Sequence, residues 1–253
     1  MAANGNSPLS GKAAIITGAS AGIGQAVARH FIQAGANLVL VARRAERLEQ
    51  LAAEAKAAGV RAVPIVGDVR EEETAQKAVE AALASFGRID VLVNNAGIGI
   101  YKNLAETSLR DYDEMMDTNM RSTFIFSHHA VPVLIQQRAG MIINISSMAG
   151  VMGFPGEAVY CSTKFAQVGF TQALDRELRP YDIKVGVVCP GGVKTEFAIG
   201  TGRTEADVAE SGMLEAEDVA SAVMLMVTQS SGSRVMEIRM RPMVEPLAGR
   251  DPE

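Results

Sequence analysis

AAIITGASAGIG, residues Ala13 to Gly24, decides the fold. Ala13 to Thr17 are small or β-branched and read as a buried strand; Gly18, Gly22 and Gly24 then break the chain, and a helical pattern runs on to Ala34. Glycines at such a turn let a backbone approach a pyrophosphate, and the helix N-terminus adds free N–H groups and the positive end of a dipole. The spacing is Gly-x-x-x-Gly-x-Gly, not the G-x-G-x-x-G of dinucleotide-binding folds, and as a lone tight turn it would be unremarkable. Its weight comes from the strand before it and the helix after it.

Outward from this stretch the same alternation repeats. NLVLV precedes a helix ending near Ala58, and RAVPIV one ending at Phe86; IDVLV precedes a helix from about Asp111, and MIINIS one from about Ala158. KVGVVC, a helix from about Ala216 and RVMEIR complete the series. Nearly continuous apolar strands joined by helical crossovers predict an α/β fold: a Rossmann-like, doubly wound, seven-stranded parallel sheet with helices on both faces, in three layers. No linker or repeat interrupts it, so residues 1–253 read as one domain, with 1–8 and 243–253 as flexible ends. Residues 197–214 follow a strand without apolar periodicity and are expected to form a lid.

Composition narrows the function classes. The net charge of -5 and the absence of a Lys/Arg cluster among aromatics argue against nucleic acid and anionic membranes. The polar start has no signal-like pattern, and the longest nearly apolar run, Val219 to Val227, is about half of the roughly 20 residues a membrane span needs. A cytoplasmic protein is expected. Cys161 and Cys189 lack metal spacing, and neighbouring His128 and His129 point about 100° apart on a helix, so neither a disulfide nor a metal site is expected.

In such sheets ligands bind beyond the carboxyl ends of the strands, and the remaining polar motifs fall there. After the second strand stand Arg43 and Arg44, where an acidic residue would hold ribose hydroxyls; arginines there suit a 2′-phosphate and favour NADP(H) over NAD(H). Asp68 and Val69 follow the third strand and Asn94 to Gly97 the fourth, though turn chemistry alone could place them. Ser147 ends the fifth. Tyr160 and Lys164 sit four apart on the next helix and can share a face. A free phenol with a pKa near 10 is a poor acid-base group at neutral pH; an adjacent ammonium, and a cationic oxidised nicotinamide, would favour the phenolate, so Lys164 is the kind of partner this chemistry needs.

Together these residues resemble the short-chain dehydrogenase/reductase family, from about Leu9 to Pro242. The likeness rests on TGASAGIG (Thr17 to Gly24), Asp68-Val69, NNAG (Asn94 to Gly97), Asn119, Ser147, Tyr160, Lys164, and Pro190-Gly191 with Thr195. It implies hydride transfer between a nicotinamide and a carbonyl or secondary alcohol. Tyr160 would be the acid or base, Ser147 would hold the substrate oxygen, and Lys164 would bind the nicotinamide ribose while tuning Tyr160. Asn119 would hold open a water-linked proton route beginning at Lys164. The cofactor would meet Gly18, Ser20, Ala21, Gly22, Ile23 and Gly24 at its phosphates, Asp68 and Val69 at the adenine, and Asn95, Ala96 and Gly97 near the adenine ribose. Pro190, Gly191, Val193 and Thr195 would flank the carboxamide.

Ile98, Ile100, Tyr101, Met148, Val151, Met152, Phe154 and Phe197 are the candidate substrate pocket. Their apolar character predicts a mostly apolar small molecule, with a 3-oxoacyl thioester as the alternative substrate and a non-catalytic NADP(H) sensor as the alternative of another class. Relatives form homodimers or homotetramers through the helices that begin near Asp111 and Ala158. Three departures from the family pattern stand out. Ala21 replaces a basic or hydroxyl residue of many NADP-using relatives, a glycine is absent three places after Asn119, and the last strand ends without Asp-Gly-Gly.

Overall fold

The computed structural model describes residues 7–210 and 212–243, so most of both expected flexible ends lies outside the described residues. Seven parallel strands form one sheet in the order β3-β2-β1-β4-β5-β6-β7. They are β1 Ala13–Thr17, β2 Asn37–Ala42, β3 Ala62–Val66, β4 Val91–Asn94, β5 Gly140–Ile145, β6 Ile183–Pro190 and β7 Glu237–Met240. The last starts later than RVMEIR suggests, although the Met236 carbonyl still accepts a hydrogen bond from Val187 N at 2.9 Å.

Period-two alternation divides the core. Ala14, Ile16, Leu38 and Leu40 face one layer with α1 (Gly22–Gln33), α2 (Ala45–Ala57) and α8 (Ala216–Val227). Ile15, Val39 and Val41 face the other with α3 (Glu72–Phe86), α5 (Ser122–Gln137) and α6 (Ala158–Leu178). Two short helices, α4 (Leu109–Met115) and α7 (Glu205–Glu210), complete the set. On the outer faces of α5 and α6, the helices on which the oligomer expectation rests, Phe124 and Phe165 are about half exposed. Among the described residues no helix is long and apolar enough to cross a membrane, and both cysteines are free and buried.

The winding reverses between β1 and β4, which places a crevice at their carboxyl ends. Thr17 fixes its floor. Its hydroxyl accepts from Asn95 N (2.9 Å) and Ala96 N (3.0 Å), while Asn95 Nδ2 donates back to Thr17 O (2.9 Å). One strand farther, buried Asn94 donates to Asn144 Oδ1 (2.9 Å) and Ser127 Oγ (3.0 Å), and Asn144 donates to Thr171 Oγ1 (2.8 Å). These buried polar contacts tie β4 and β5 to α5 and α6 and set the height at which the crevice opens.

Candidate active site

A cleft of about 720 Å³ runs across the carboxyl ends of the strands. At one end lies the glycine turn. Gly18 and Gly22 have φ of +66° and +52°, values that side chains resist. Ala21, at the N-cap of α1, contributes no side-chain cap, so the first N–H groups of the helix are left for a ligand. That arrangement fits a dinucleotide phosphate. Ser20, Ala21 and Ile23 line the cleft with these glycines, as do Asp68, Val69, Asn95, Ala96, Gly97, Pro190, Gly191, Val193 and Thr195. Gly24 does not. A Cβ there would lie 2.4 Å from both Asn95 Nδ2 and Gly18 O, so its role is to let α1 close onto the turn.

The two arginines after β2 differ. Arg43 lines the cleft, makes no hydrogen bond or ion pair among the described residues, and its charge helps to lower the Asp68 pKa, an effect dominated by the hydrogen bonds from Arg70. Arg44, expected to await a phosphate, instead donates to Glu196 Oε2 at 2.7 Å and to Ser20 Oγ at 3.1 Å. Arg47 joins it, donating to Glu196 Oε1 at 2.8 Å. Glu196 follows Thr195, whose side chain packs on Gly22; this strap therefore reaches from the end of β6 to the glycine turn.

In the middle of the cleft α6 presents Tyr160 and Lys164, both almost fully buried, opposite Ser147 at the end of β5. Ser147 Oγ accepts from Ala149 N (3.1 Å), which fixes the serine at the head of the short turn Met148–Gly150. Lys164 donates to Ile145 O (3.1 Å) and Gln167 Oε1 (2.9 Å). Burial holds the Tyr160 pKa well above its ordinary value, with Tyr101 adding to the effect and hydrogen bonding from Ser147 opposing it. Lys164 is itself depressed to about 8 by burial, and its donors are aimed at a carbonyl and an amide rather than at the phenol; it lies 5.7 Å from the Tyr160 ring centre.

Asn119 sits behind this pair on a π-helical turn, Met116–Arg121, between α4 and α5. Its side chain accepts from Ile98 N (2.8 Å) and donates to Ile98 O (3.0 Å) and Thr163 Oγ1 (2.9 Å). Its carbonyl receives Thr123 Oγ1 (2.8 Å) and Gln167 Nε2 (3.0 Å). Ser122, where the glycine is missing, directly follows this widened turn, and its hydroxyl donates to Thr118 O at 2.5 Å. Gln167 links Lys164 to Asn119, and it was not among the sequence candidates. Its signal was present: it lies three residues after Lys164 and seven after Tyr160, on the same helix face.

Beyond Tyr160 the wall is aromatic. Tyr101 and Phe197 pack on the Tyr160 ring at centroid distances of 5.5 and 5.8 Å, and Ile98, Ile100, Met148 and Phe154 line the same end. Val151 and Met152 do not belong to it. The chain turns away after Gly150, so Val151 packs with Val168, Val187 and Cys189, and Met152 points outward, 39% exposed. Glu157 and Arg203 line this end as well. These two charges stand beside the apolar lining expected from Ile98, Ile100, Met148, Phe154 and Phe197.

A family model described as short chain dehydrogenase matches residues 12–206. The chain belongs to the short-chain dehydrogenase family. An uncharacterized oxidoreductase of Staphylococcus epidermidis is 35% identical over 231 residues, spanning 91% of this chain and 97% of the relative. Among solved structures, a metagenomic short-chain oxidoreductase in complex with NADP is 32% identical at a TM-score of 0.81, covering 94% of this chain and 100% of that one. The closed form of a serine dehydrogenase complexed with NADP+ is 30% identical at a TM-score of 0.87, covering 95% and 99%. For a short-chain dehydrogenase, the seven-stranded sheet and its switch-point cleft are the arrangement expected from the sequence.

Proposed function

We propose that this oxidoreductase transfers a hydride between NADP(H) and a carbonyl or secondary alcohol of a small molecule. The observation that carries the proposal is the convergence of Ser147, Tyr160 and Lys164 on one cleft whose other end is an uncapped glycine turn. Bound nicotinamide supplies the hydride. In the reductive direction Tyr160, whose buried phenol keeps its proton, delivers it to the substrate oxygen that Ser147 holds. Lys164, held by Gln167, resupplies the proton along a water-linked route that Asn119 keeps open, and its ammonium steadies negative charge developing on the oxygen. Tyr101 and Phe197 shield the reacting carbonyl from water, and the turn carrying residues 198–203 acts as the inner edge of a substrate lid.

The cofactor part of the proposal rests on Arg43, with support from the NADP bound to related structures. Arg43→Asp is expected to weaken NADPH binding by about 10- to 100-fold, the worth of a charge-assisted contact, with a much smaller loss for NADH. Glu196→Gln is expected to do the opposite, strengthening NADPH binding by releasing Arg44. Titration of reduced-nucleotide fluorescence reads both, and equal losses of NADPH and NADH affinity in Arg43→Asp would count against the assignment.

Protonation gives a second check. Burial disfavours the Lys164 ammonium and brings its pKa to about 8, so the side chain loses its charge as pH rises through that value. Tyr160 moves the other way and stays protonated. The specificity constant for carbonyl reduction is therefore expected to fall above about pH 8; a profile flat from pH 7 to 9.5 would contradict this. Linkage works in the opposite sense. The unfolded lysine binds its proton up to about 10.5, so the burial penalty on stability is present below pH 8 and disappears between about 8 and 10.5.

A further inference from the structure

We infer that Arg203 forms a carboxylate-binding subsite at the substrate end of the cleft, so that the compound reduced is an oxo acid rather than a neutral ketone. The inference rests on the hydride-transfer reading above and adds the substrate's charge to it.

Arg203 lies over both rings that pack against Tyr160, with its guanidinium carbon 5.7 Å from the Tyr101 ring centre and 6.0 Å from that of Phe197. Among the described residues its side chain makes no hydrogen bond and no ion pair, whereas Arg29, Arg44, Arg47, Arg70, Arg88 and Arg234 each hold a carboxylate. Five N–H donors therefore remain at the substrate end of the cleft, against the two aromatic rings that pack on Tyr160.

The backbone holds this group in place. Arg203 N donates to Ala198 O and Gly200 N to Arg203 O, both at 2.9 Å, closing a tight turn. Thr201 fastens that turn to the opposite loop: its hydroxyl donates to Gly99 O at 2.7 Å, and its carbonyl accepts from Tyr101 N at 2.8 Å. Gly202 packs so closely on Tyr101 that a Cβ would lie 2.5 Å from the ring. A half-buried guanidinium so placed, with apolar neighbours, favours an anion that can take two of its N–H groups at once.

The second charged group of the wall selects among anions. Glu157 is half-buried and its pKa is raised by burial, with the charge of Arg203 acting against the rise, but the two side chains form no ion pair. A carboxylate close to Arg203 opposes a dianionic phosphate more strongly than a singly charged ligand. The ligand is accordingly a monoanionic carboxylate, with its carbonyl reaching back to Tyr160 and Ser147.

The test compares 3-oxobutanoate with its methyl ester as substrates for the NADPH-loaded protein, in wild type, Arg203→Gln and Arg203→Lys. The acid is expected to be preferred in kcat/KM by about 10- to 100-fold. Arg203→Gln should bring that ratio close to one, and Arg203→Lys should keep part of it; damage to the fold would lower both substrates without moving the ratio. Calorimetric binding of 3-hydroxybutanoate to the NADP+-loaded protein gives a readout independent of turnover, expected in wild type and lost in Arg203→Gln. An ester turned over as well as the acid, a ratio unchanged in Arg203→Gln, or the absence of Arg203-dependent binding would each overturn the subsite. Arg203-dependent binding without NADPH oxidation by either compound would keep the subsite and count against hydride transfer, while oxidation by neutral ketones without Arg203-dependent binding would do the reverse.

Discussion

Tyr160→Phe is expected to lower carbonyl turnover by about 10²- to 10⁴-fold while leaving NADPH affinity within about twofold. The substitution removes a single oxygen from a side chain that is 6% exposed and flanked by Tyr101 and Phe197, so the aromatic wall keeps its shape. What disappears is the proton donor. Lys164 does not replace it, since its donors are turned toward Ile145 O and Gln167 Oε1. Steady-state rates with a reactive ketone, together with a nucleotide titration, separate the two effects. Turnover close to wild type would mean that the proton comes from elsewhere, and the role assigned to the α6 pair would be wrong.

Gly24→Ala should damage cofactor binding and the fold together. The added methyl would lie 2.4 Å from Asn95 Nδ2 and 2.4 Å from the Gly18 carbonyl, and neither can retreat freely. Asn95 is held by Thr17 at the switch point, and Gly18 is backbone in a left-handed turn. Overpacking of this kind costs about 1–3 kcal/mol, which for a chain of this size lowers Tm by roughly 3–10 °C. Moving α1 away from the turn also spoils the alignment of several N–H groups with a phosphate, and NADPH affinity should fall by about 100-fold or more. Thermal melts and nucleotide titration measure the two losses. An unchanged affinity would show that the N-terminus of α1 does not carry the phosphate.

The sequence reads well where local chemistry and tertiary position coincide. AAIITGASAGIG specifies a strand, a turn and a helix through apolar runs and glycine, and the same alternation carries through to Met240. The positions after β1, β4 and β5 could be grouped because a parallel sheet brings its carboxyl ends together whatever the intervening loops do. Contacts between loops and distant helices were harder to see. Glu196 binds Arg44 and Arg47 across about 150 residues of chain, and charge order along the sequence gives no sign of it. Arg203 reaches the aromatic wall only because Thr201 ties its turn to Gly99 and Tyr101. Val151 and Met152 lie near Ser147 in sequence, but the turn at Met148–Gly150 directs them away from the cleft. The sequence spacing of Tyr160 and Lys164 also gives no sign of how deeply both are buried, and burial raises the pKa of the phenol and lowers that of the ammonium.

The most direct test of the central claim is to mix the protein with NADPH and a panel of neutral ketones, oxo acids, aldehydes, diketones and a 3-oxoacyl thioester, following reduced-nicotinamide absorbance and alcohol formation together. Wild type is expected to consume NADPH one-for-one with a carbonyl compound, and Tyr160→Phe is not. Stoichiometric NADPH binding with no oxidation anywhere across the panel would contradict it and would leave a nucleotide-binding protein that senses rather than reacts.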